Sequence, residues 1–307
     1  MANTVNLATI AGVLPKTFVG DLISATRAAS VVATLSPAEP MNFGTSNILT
    51  LGNRPRAEFV GESQQKSGTD IAFGSVAIEA RKAQVTVRLS NEVDWANPQA
   101  AIDVVATIKK ESSEALTEAL DLGVLHKLNP LTGVQMTGWT NYVNATTNRV
   151  EIATAEADAD VRTAVRALQA ANKATNGIAM TSGFLASLGD LGNEATGLPR
   201  YPEIGFGTTI ESFRGLNAAV SPTVRGFGAD GVQLGAFDSK VEAIVGDFTN
   251  GIRWGVQKVV PAEVIPYGDP DGKGDLKRTN EFALRVEIVY GWYVFTDRFA
   301  VIENATA

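Results

Sequence analysis

One histidine, His126, and no cysteine occur among the 307 residues, and this scarcity limits the chemistry the chain can do. Without thiols there is no cysteine nucleophile and no thiolate zinc site, and a metal site needing two histidines cannot be built within one chain. Any nucleophilic triad would depend on His126, yet no serine stands in a G-x-S-x-G elbow for it to serve. His126 falls near the end of a helical stretch, where an imidazole can meet terminal carbonyls, so a structural role is the better reading. Gly226-Phe227-Gly228-Ala229-Asp230-Gly231 matches G-x-G-x-x-G. A dinucleotide fingerprint needs a buried strand before it and a helix opening at its last glycine. Pro222-Thr223-Val224-Arg225 precedes and the strand-like Val232-Gln233-Leu234 follows, so a loop is expected. Asp269-Pro270-Asp271-Gly272-Lys273-Gly274-Asp275 resembles the start of a calcium loop, but its fifth residue is Lys273 and its twelfth is Asn280. Those positions should carry an acceptor side chain and a glutamate, so a polar turn between strands is expected. No catalytic, cofactor or metal residue is assigned.

The chemistry that remains is that of surfaces. A formal charge of -7 without clustered Lys and Arg disfavours a protein that grips nucleic acid by itself, although a mildly acidic chain can surround DNA without adhering to it. With 45% hydrophobic and 19% charged residues the chain has enough apolar material to bury, which excludes wholesale disorder. No apolar run approaches the length of about eighteen residues that a membrane helix needs. The opening MANTVNLATIAGVLPK lacks a basic stretch followed by an apolar core, so no secretory signal is expected. Stability must come from packing, subunit contacts or a crosslink other than a disulfide, and a reducing compartment suits the chain.

The elements that would position such surfaces follow from apolar periodicity. Residues 1 to 16 read as an extended arm, and Phe18 to Val32 as a short helix. Ile48 to Leu51 is a short strand. Residues 52 to 84 form a long two-stranded excursion whose polar middle, Ser63 to Asp70, has almost nothing to bury. Ala72 to Ala80 and Gln84 to Ser90 alternate as two strands. An isolated hairpin is barely stable in water, so this one needs a neighbour to lie on. Gln99 to Leu128 is a helix about 45 Å long, opened by Asn97-Pro98 and closed by Asn129-Pro130. Residues 131 to 250 read as a second, α/β-like domain, with helices at Ala157 to Lys173 and Ser182 to Leu191. Strands are expected at Gly177 to Met180, Gly235 to Phe237 and Val241 to Phe248. Gly251 to Val259 and Glu281 to Val294 are long alternating strands joined by the polar segment Gly268 to Lys277. There is no internal repeat.

This order resembles the major capsid proteins of tailed bacteriophages with the Hong Kong 97-type fold, along nearly the whole chain. Gly12-Val13-Leu14-Pro15 is similar to the family's approach to its first helix. Ala57-Glu58-Phe59-Val60-Gly61-Glu62 resembles the lead into its projecting loop, Phe73-Gly74-Ser75-Val76 the return strand, and Val87-Arg88-Leu89-Ser90-Asn91-Glu92 the approach to its long spine helix. Gly246-Asp247-Phe248 with Gly255-Val256, then Phe282-Ala283-Leu284-Arg285 and Asp297-Arg298-Phe299-Ala300-Val301-Ile302, resemble its C-terminal signature. Each motif alone is weak; their order and spacing together are fairly specific. The resemblance implies an α+β subunit in six parts. These are an N-terminal arm with the start of the first helix (1–25), P-domain (26–51), E-loop (52–84), P-domain with the spine helix (85–130), A-domain (131–250), and C-terminal strands returning to the P-domain (251–307).

The implied function is self-assembly into an icosahedral shell of homo-hexamers and homo-pentamers around double-stranded DNA, in the virion and built in the host cytoplasm. Implied partners are further copies, a portal protein, and a separate scaffold protein and decoration proteins where used, with no membrane and no cofactor. Some members carry a long built-in N-terminal scaffold; Met1 stands almost directly before the arm, so a separate scaffold or none is expected. Some relatives join an E-loop lysine to an asparagine of a neighbouring subunit with the help of a glutamate. Lys66, Asn280 and Glu281 stand near the matching positions, but a solvated Lys66 at a loop tip is the favoured reading. Arg54, Arg56, Glu58 and Glu62 could pair with charges on the next subunit, each exposed pair contributing about 0 to 1 kcal/mol. The alternatives are an encapsulin-type nanocompartment, which shares the fold but holds protein cargo, and a soluble α/β enzyme using residues 131 to 250.

Overall fold

The structure is a computed structural model that describes residues 30–53, 55–91, 98–152, 156–193, 197–205, 207 and 209–305, without the side chains of 98–107 and 109. The expected arm, most of the first helix, and Arg54 lie outside the described residues.

Two sheets share one long helix. The first is antiparallel, in the order β1 (Ser46–Leu51), β2 (Phe73–Ser90), β11 (Glu281–Val294), β10 (Ile252–Ile265). The alternation seen at 281–294 becomes the central strand, paired over Glu281–Trp292 with Ser90–Glu79 of β2 and over Ala283–Val294 with β10. Two strands expected at 72–80 and 84–90 are one continuous strand of 18 residues. Between the two expected ranges, Lys82 Nζ meets Glu287 Oε2 on the neighbouring strand at 2.6 Å, and Arg81 lies between the rings of Trp139 and Trp292, 4.7 and 4.5 Å from their centroids. Two indole faces offset part of the cost of burying that cation.

The second sheet has six strands in the order β5 (Arg149–Glu151), β12 (Phe299–Glu303), β9 (Val241–Gly246), β6 (Gly177–Met180), β8 (Leu216–Val220), β7 (Ser212–Phe213). Its central strands are buried on both faces, which is why they read as continuous apolar runs. Ile178, Met180, Val245, Ala300 and Ile302 face α3 (Ala157–Ala170) and α4 (Ser182–Gly189). Ala179, Ile244, Phe299 and Val301 point the other way, into the core shared with the long helix. Because β12 is inserted between β5 and β9, the last strand belongs with residues 149–246. Gly235 to Phe237, expected as a strand, is a turn, because Gly235 adopts φ 59° where it passes the backbone of Thr132 and Gly133.

The long helix, α2 (Pro98–His126), has 29 residues and so spans about 44 Å. Its last turns, Leu120 to His126, are buried on every side. Gly123 sits where the helix meets the first sheet: a Cβ there would lie 2.9 Å from the Trp292 ring. The remaining elements are α1 (Val31–Leu35), the two-residue strands β3 (Leu128–Asn129) and β4 (Val134–Gln135), and α5 (Phe248–Gly251).

Candidate functional site

The surface that stands apart from the body is the hairpin made by β1 and the first part of β2. Ser46–Leu51 pairs with Ile78–Phe73, and Gly52 N–H donates to the Ala72 carbonyl at 2.8 Å to close the ladder. Beyond it, every described residue from 52 to 72 is exposed. Three local bonds shape this loop. Ser67 N–H donates to Glu58 Oε1 at 2.5 Å, Thr69 Oγ1 donates to the Arg56 carbonyl at 3.1 Å, and Gln64 N–H donates to the Gly61 carbonyl at 3.2 Å. The Ser67 backbone and side chain together hold the Glu58 carboxyl below its ordinary pKa.

Period-two geometry sorts the hairpin's side chains onto two faces. Leu51 lies opposite Phe73 and Leu49 opposite Ser75, and on that face Leu49 is 71%, Leu51 53% and Phe73 67% exposed. Phe59 is fully exposed, and Val60 and Ile71 extend the apolar surface into the loop. Exposed leucines scattered singly need no explanation, but six large apolar side chains on one projection mark a contact surface. The sequence signal was the polar middle, Ser63 to Asp70, which has almost nothing to bury; which side chains share the open face follows only from the register.

The charged residues singled out in the sequence are distributed differently. Arg56, Glu62 and Lys66 are exposed and form no ion pair among the described residues, and Glu58 is engaged only by Ser67. Asn280 caps a short 3-10 turn in the left-handed conformation, φ 57°. Its Oδ1 accepts from Asn91 Nδ2 at 2.9 Å. Glu281 Oε2 is held by Arg88 Nη1 at 3.1 Å and Thr279 Oγ1 at 2.8 Å. Lys66 lies beyond one end of the 18-residue β2 and Asn280 beside the other. At about 3.3 Å per residue the strand between them spans about 56 Å, so within one chain they do not meet.

The motifs weighed for catalysis or metals are occupied by structure. Gly226 ends a 3-10 turn over Pro222–Arg225 with φ 89° and packs on Phe237, so a 3-10 turn and not a strand leads directly into 226–231. In the 269–275 loop the cation is already supplied. Arg88 Nε donates to Asp271 Oδ1 at 2.7 Å, and its Nη2 donates to Asp269 Oδ1 at 3.1 Å and to the Gly274 carbonyl at 2.6 Å. Its guanidinium already engages the oxygens the loop offers, and no metal-competent group of side chains occurs among the described residues.

His126 is buried, with Nε2 2.8 Å from the Val224 carbonyl and Nδ1 3.4 Å from Asn144 Nδ2. Those partners suit a neutral ring that donates through Nε2 and accepts at Nδ1. Burial lowers its pKa from 6.5 to about 4. The unfolded chain therefore takes up this proton before the native one does. Stability from this group is complete above about pH 6.5, declines as pH falls towards 4, and drops by about 3 kcal/mol across that window. Urea unfolding of the unassembled chain at pH 7 and pH 4.5 should show that decline, and His126→Gln should remove most of it. An unchanged pH dependence in His126→Gln would contradict the assignment.

A projecting apolar hairpin on a two-sheet body with a long central helix is a subunit geometry, and comparison with known proteins places it. The model of the phage capsid family matches residues 11–269. The chain belongs to the phage capsid family. As a capsid protein it is a structural component of the virion that builds the shell. A solved chain from Mycobacterium phage Ogopogo is 43% identical, with 90% of this capsid protein and 92% of that chain covered and a TM-score of 0.79. One from Gordonia phage Cozz is 29% identical, with 89% and 86% covered and a TM-score of 0.77. A chain from the capsid of a native GTA particle computed with C5 symmetry is 12% identical over 99% and 95%, TM-score 0.56, and shares the fold. No curated protein matches the capsid protein. No helix among the described residues is long and apolar enough to cross a membrane.

Proposed function

We propose that this capsid protein assembles as homo-hexamers and homo-pentamers of the Hong Kong 97 type around double-stranded DNA. In this reading residues 52–84 act as the E-loop, 26–51 and 85–130 with α2 as the P-domain, 131–250 as the A-domain, and 251–307 as C-terminal strands returning to the P-domain. The carrying observation is the hairpin: six large apolar side chains on a projection with no core of its own require a partner surface, and a second copy supplies one. The phage family match weighs against the encapsulin alternative and against a soluble enzyme. Portal, scaffold and decoration proteins, and assembly in the host cytoplasm, belong to the same reading.

Electron microscopy of the protein purified alone tests it: sheets, tubes or closed shells are expected, and a monodisperse monomer at high concentration would overturn it. Lys66 is read as a solvated loop-tip lysine. Assembled shells boiled in detergent should therefore give a single monomer band, and a ladder would instead establish a covalent bond between copies.

A further inference from the structure

The open face of the hairpin continues past the hairpin into the body. Side chains of a strand alternate between its two faces, so Phe73, Ser75, Ala77, Glu79 and Arg81 of β2 share the face that carries Leu49 and Leu51 of β1. The opposite face is better covered: Ile48 and Val76 are half-buried and Ile78 is 2% exposed. Along the open face Phe73, Ser75, Ala77 and Glu79 are all exposed, and the strip then ends on Arg81, buried against Trp139 and Trp292.

Arg81 is incompletely satisfied there. Its side chain is 9% exposed, and its Nε and Nη1, like Trp292 Nε1, have no hydrogen-bond acceptor among the described residues. Indole faces attract the charge but do not replace an oxygen acceptor in the guanidinium plane. Among the described residues its one ion-pair partner is Glu79, which stands two residues along the same face and opposite Trp292, with Oε2 3.7 Å from Arg81 Nη2. The Glu79 side chain is 73% exposed. In the single chain water competes for that carboxylate, and a pair so exposed contributes little. Covering the face removes the water and leaves the free donors of Arg81 beside a desolvated carboxylate.

We propose that Glu79 and Arg81 form an assembly-dependent lock: the second copy that lies on the hairpin's apolar face also covers Glu79, and the carboxylate then turns onto the unpaired donors of Arg81. Both partners belong to one chain and already stand side by side, so the lock requires only cover from the neighbour. It discriminates between modes of docking. A neighbour that covers the apolar residues but leaves Glu79 in water gains the apolar contact without the charge pair. The inference rests on the assembly reading, and its experiment distinguishes the two.

Since the chain has no cysteine, Glu79→Cys is a single-site probe. In the unassembled chain its thiol should react with a maleimide as an exposed thiol does, and in particles about tenfold more slowly or less. If the parent forms no particles, the assembly reading fails and the lock with it. Particles in which position 79 reacts as fast as in the single chain overturn the lock alone. Glu79→Gln should leave the thermal midpoint of the unassembled chain within a few degrees of the parent. It should raise the concentration needed for assembly about tenfold. An unchanged concentration overturns the proposal, since water or the rings then suffice for Arg81. The sign of a double variant separates the lock from a bond between Glu79 and a cation of the neighbour. In an Arg81→Met background, shown to fold by calorimetry of the unassembled chain, the covered carboxylate has no partner. Glu79→Gln should there lower the concentration needed for assembly. A Glu79→Gln defect that persists in that background overturns the lock. Where Arg81→Met does not fold, the first two measurements decide.

Discussion

The double variant Phe59→Ser, Phe73→Ser should fold like the parent, with a thermal midpoint within a few degrees, and form no shells at concentrations where the parent assembles fully. Phe59 is fully exposed and Phe73 is 67% exposed in the single chain, so neither contributes to its core. Surface changes of this kind usually move stability by only about 0.5 kcal/mol. In the shell the balance reverses. Burying a phenylalanine side chain contributes about 1.5–3 kcal/mol, so losing two removes roughly 4 kcal/mol from every contact the hairpin makes. That corresponds to about a thousandfold in a pairwise association constant, and in the proposed assembly each subunit takes part in such a contact both as donor and as receiver. Differential scanning calorimetry of the unassembled chain and sedimentation of the assembled one separate the two quantities. Shells forming at the parent's concentration would show that the hairpin's apolar face is not what holds copies together.

The features legible in the sequence are those governed by local periodicity. β11 (Glu281–Val294) matches its alternating run residue for residue, β6 (Gly177–Met180) its apolar run, and α2 (Pro98–His126) its three- and four-residue spacing to within two residues at each end. The hairpin was legible for the opposite reason, since its polar middle has nothing to bury. What stayed hidden depends on partners distant in the chain. Arg88 looks like an ordinary strand arginine, yet carboxylates 181 and 183 residues away close around it and remove the calcium reading. Arg81 falls between the two strands expected from the sequence, yet Trp139 and Trp292 give it a berth within one strand. β12 joins the 149–246 sheet because β5 and β9 leave a slot between them, and no period within Phe299–Glu303 specifies which sheet it enters. Asp121 was passed over altogether. Its one signal is an acidic residue inside the otherwise apolar Leu120-Asp121-Leu122-Gly123-Val124-Leu125, and that signal carries the second large effect.

Asp121→Ala should lower the stability of the unassembled chain by about 3–5 kcal/mol, the range for removing one partner of a buried charged network. Asp121 is 1% exposed, and its carboxylate gathers four donors. Ser30 Oγ makes a short bond to it. Val31 N–H donates at 2.9 Å, Val32 N–H at 3.1 Å and Thr223 Oγ1 at 3.1 Å. Two of these donors are the free backbone N–H groups at the start of α1, a helix of only five residues that cannot satisfy them itself. Burial pushes the Asp121 carboxyl pKa up, while the bonds from Ser30, Val31, Val32 and Thr223 work against that rise. Alanine would leave Ser30 Oγ and the Val31 and Val32 N–H groups without that acceptor, while Thr223 Oγ1 keeps the Ser221 hydroxyl at 2.8 Å; each buried group left unpaired costs about 1–3 kcal/mol less whatever water recovers. Asparagine should cost less, about 2 kcal/mol, because it keeps one oxygen but turns an NH₂ towards donors. The loss should be local as well as global. Hydrogen exchange of the Thr34 and Ser36 amides, bonded to the carbonyls of Ser30 and Val32, should accelerate in Asp121→Ala at denaturant concentrations where the β11 amides remain protected. Equal acceleration in both would mean that Asp121 supports the whole core and not the attachment of α1. A stability change under about 1 kcal/mol would mean that water replaces the carboxylate. If α1 alone is released, the two-sheet body stays intact, so any defect in assembly then traces to the loss of α1.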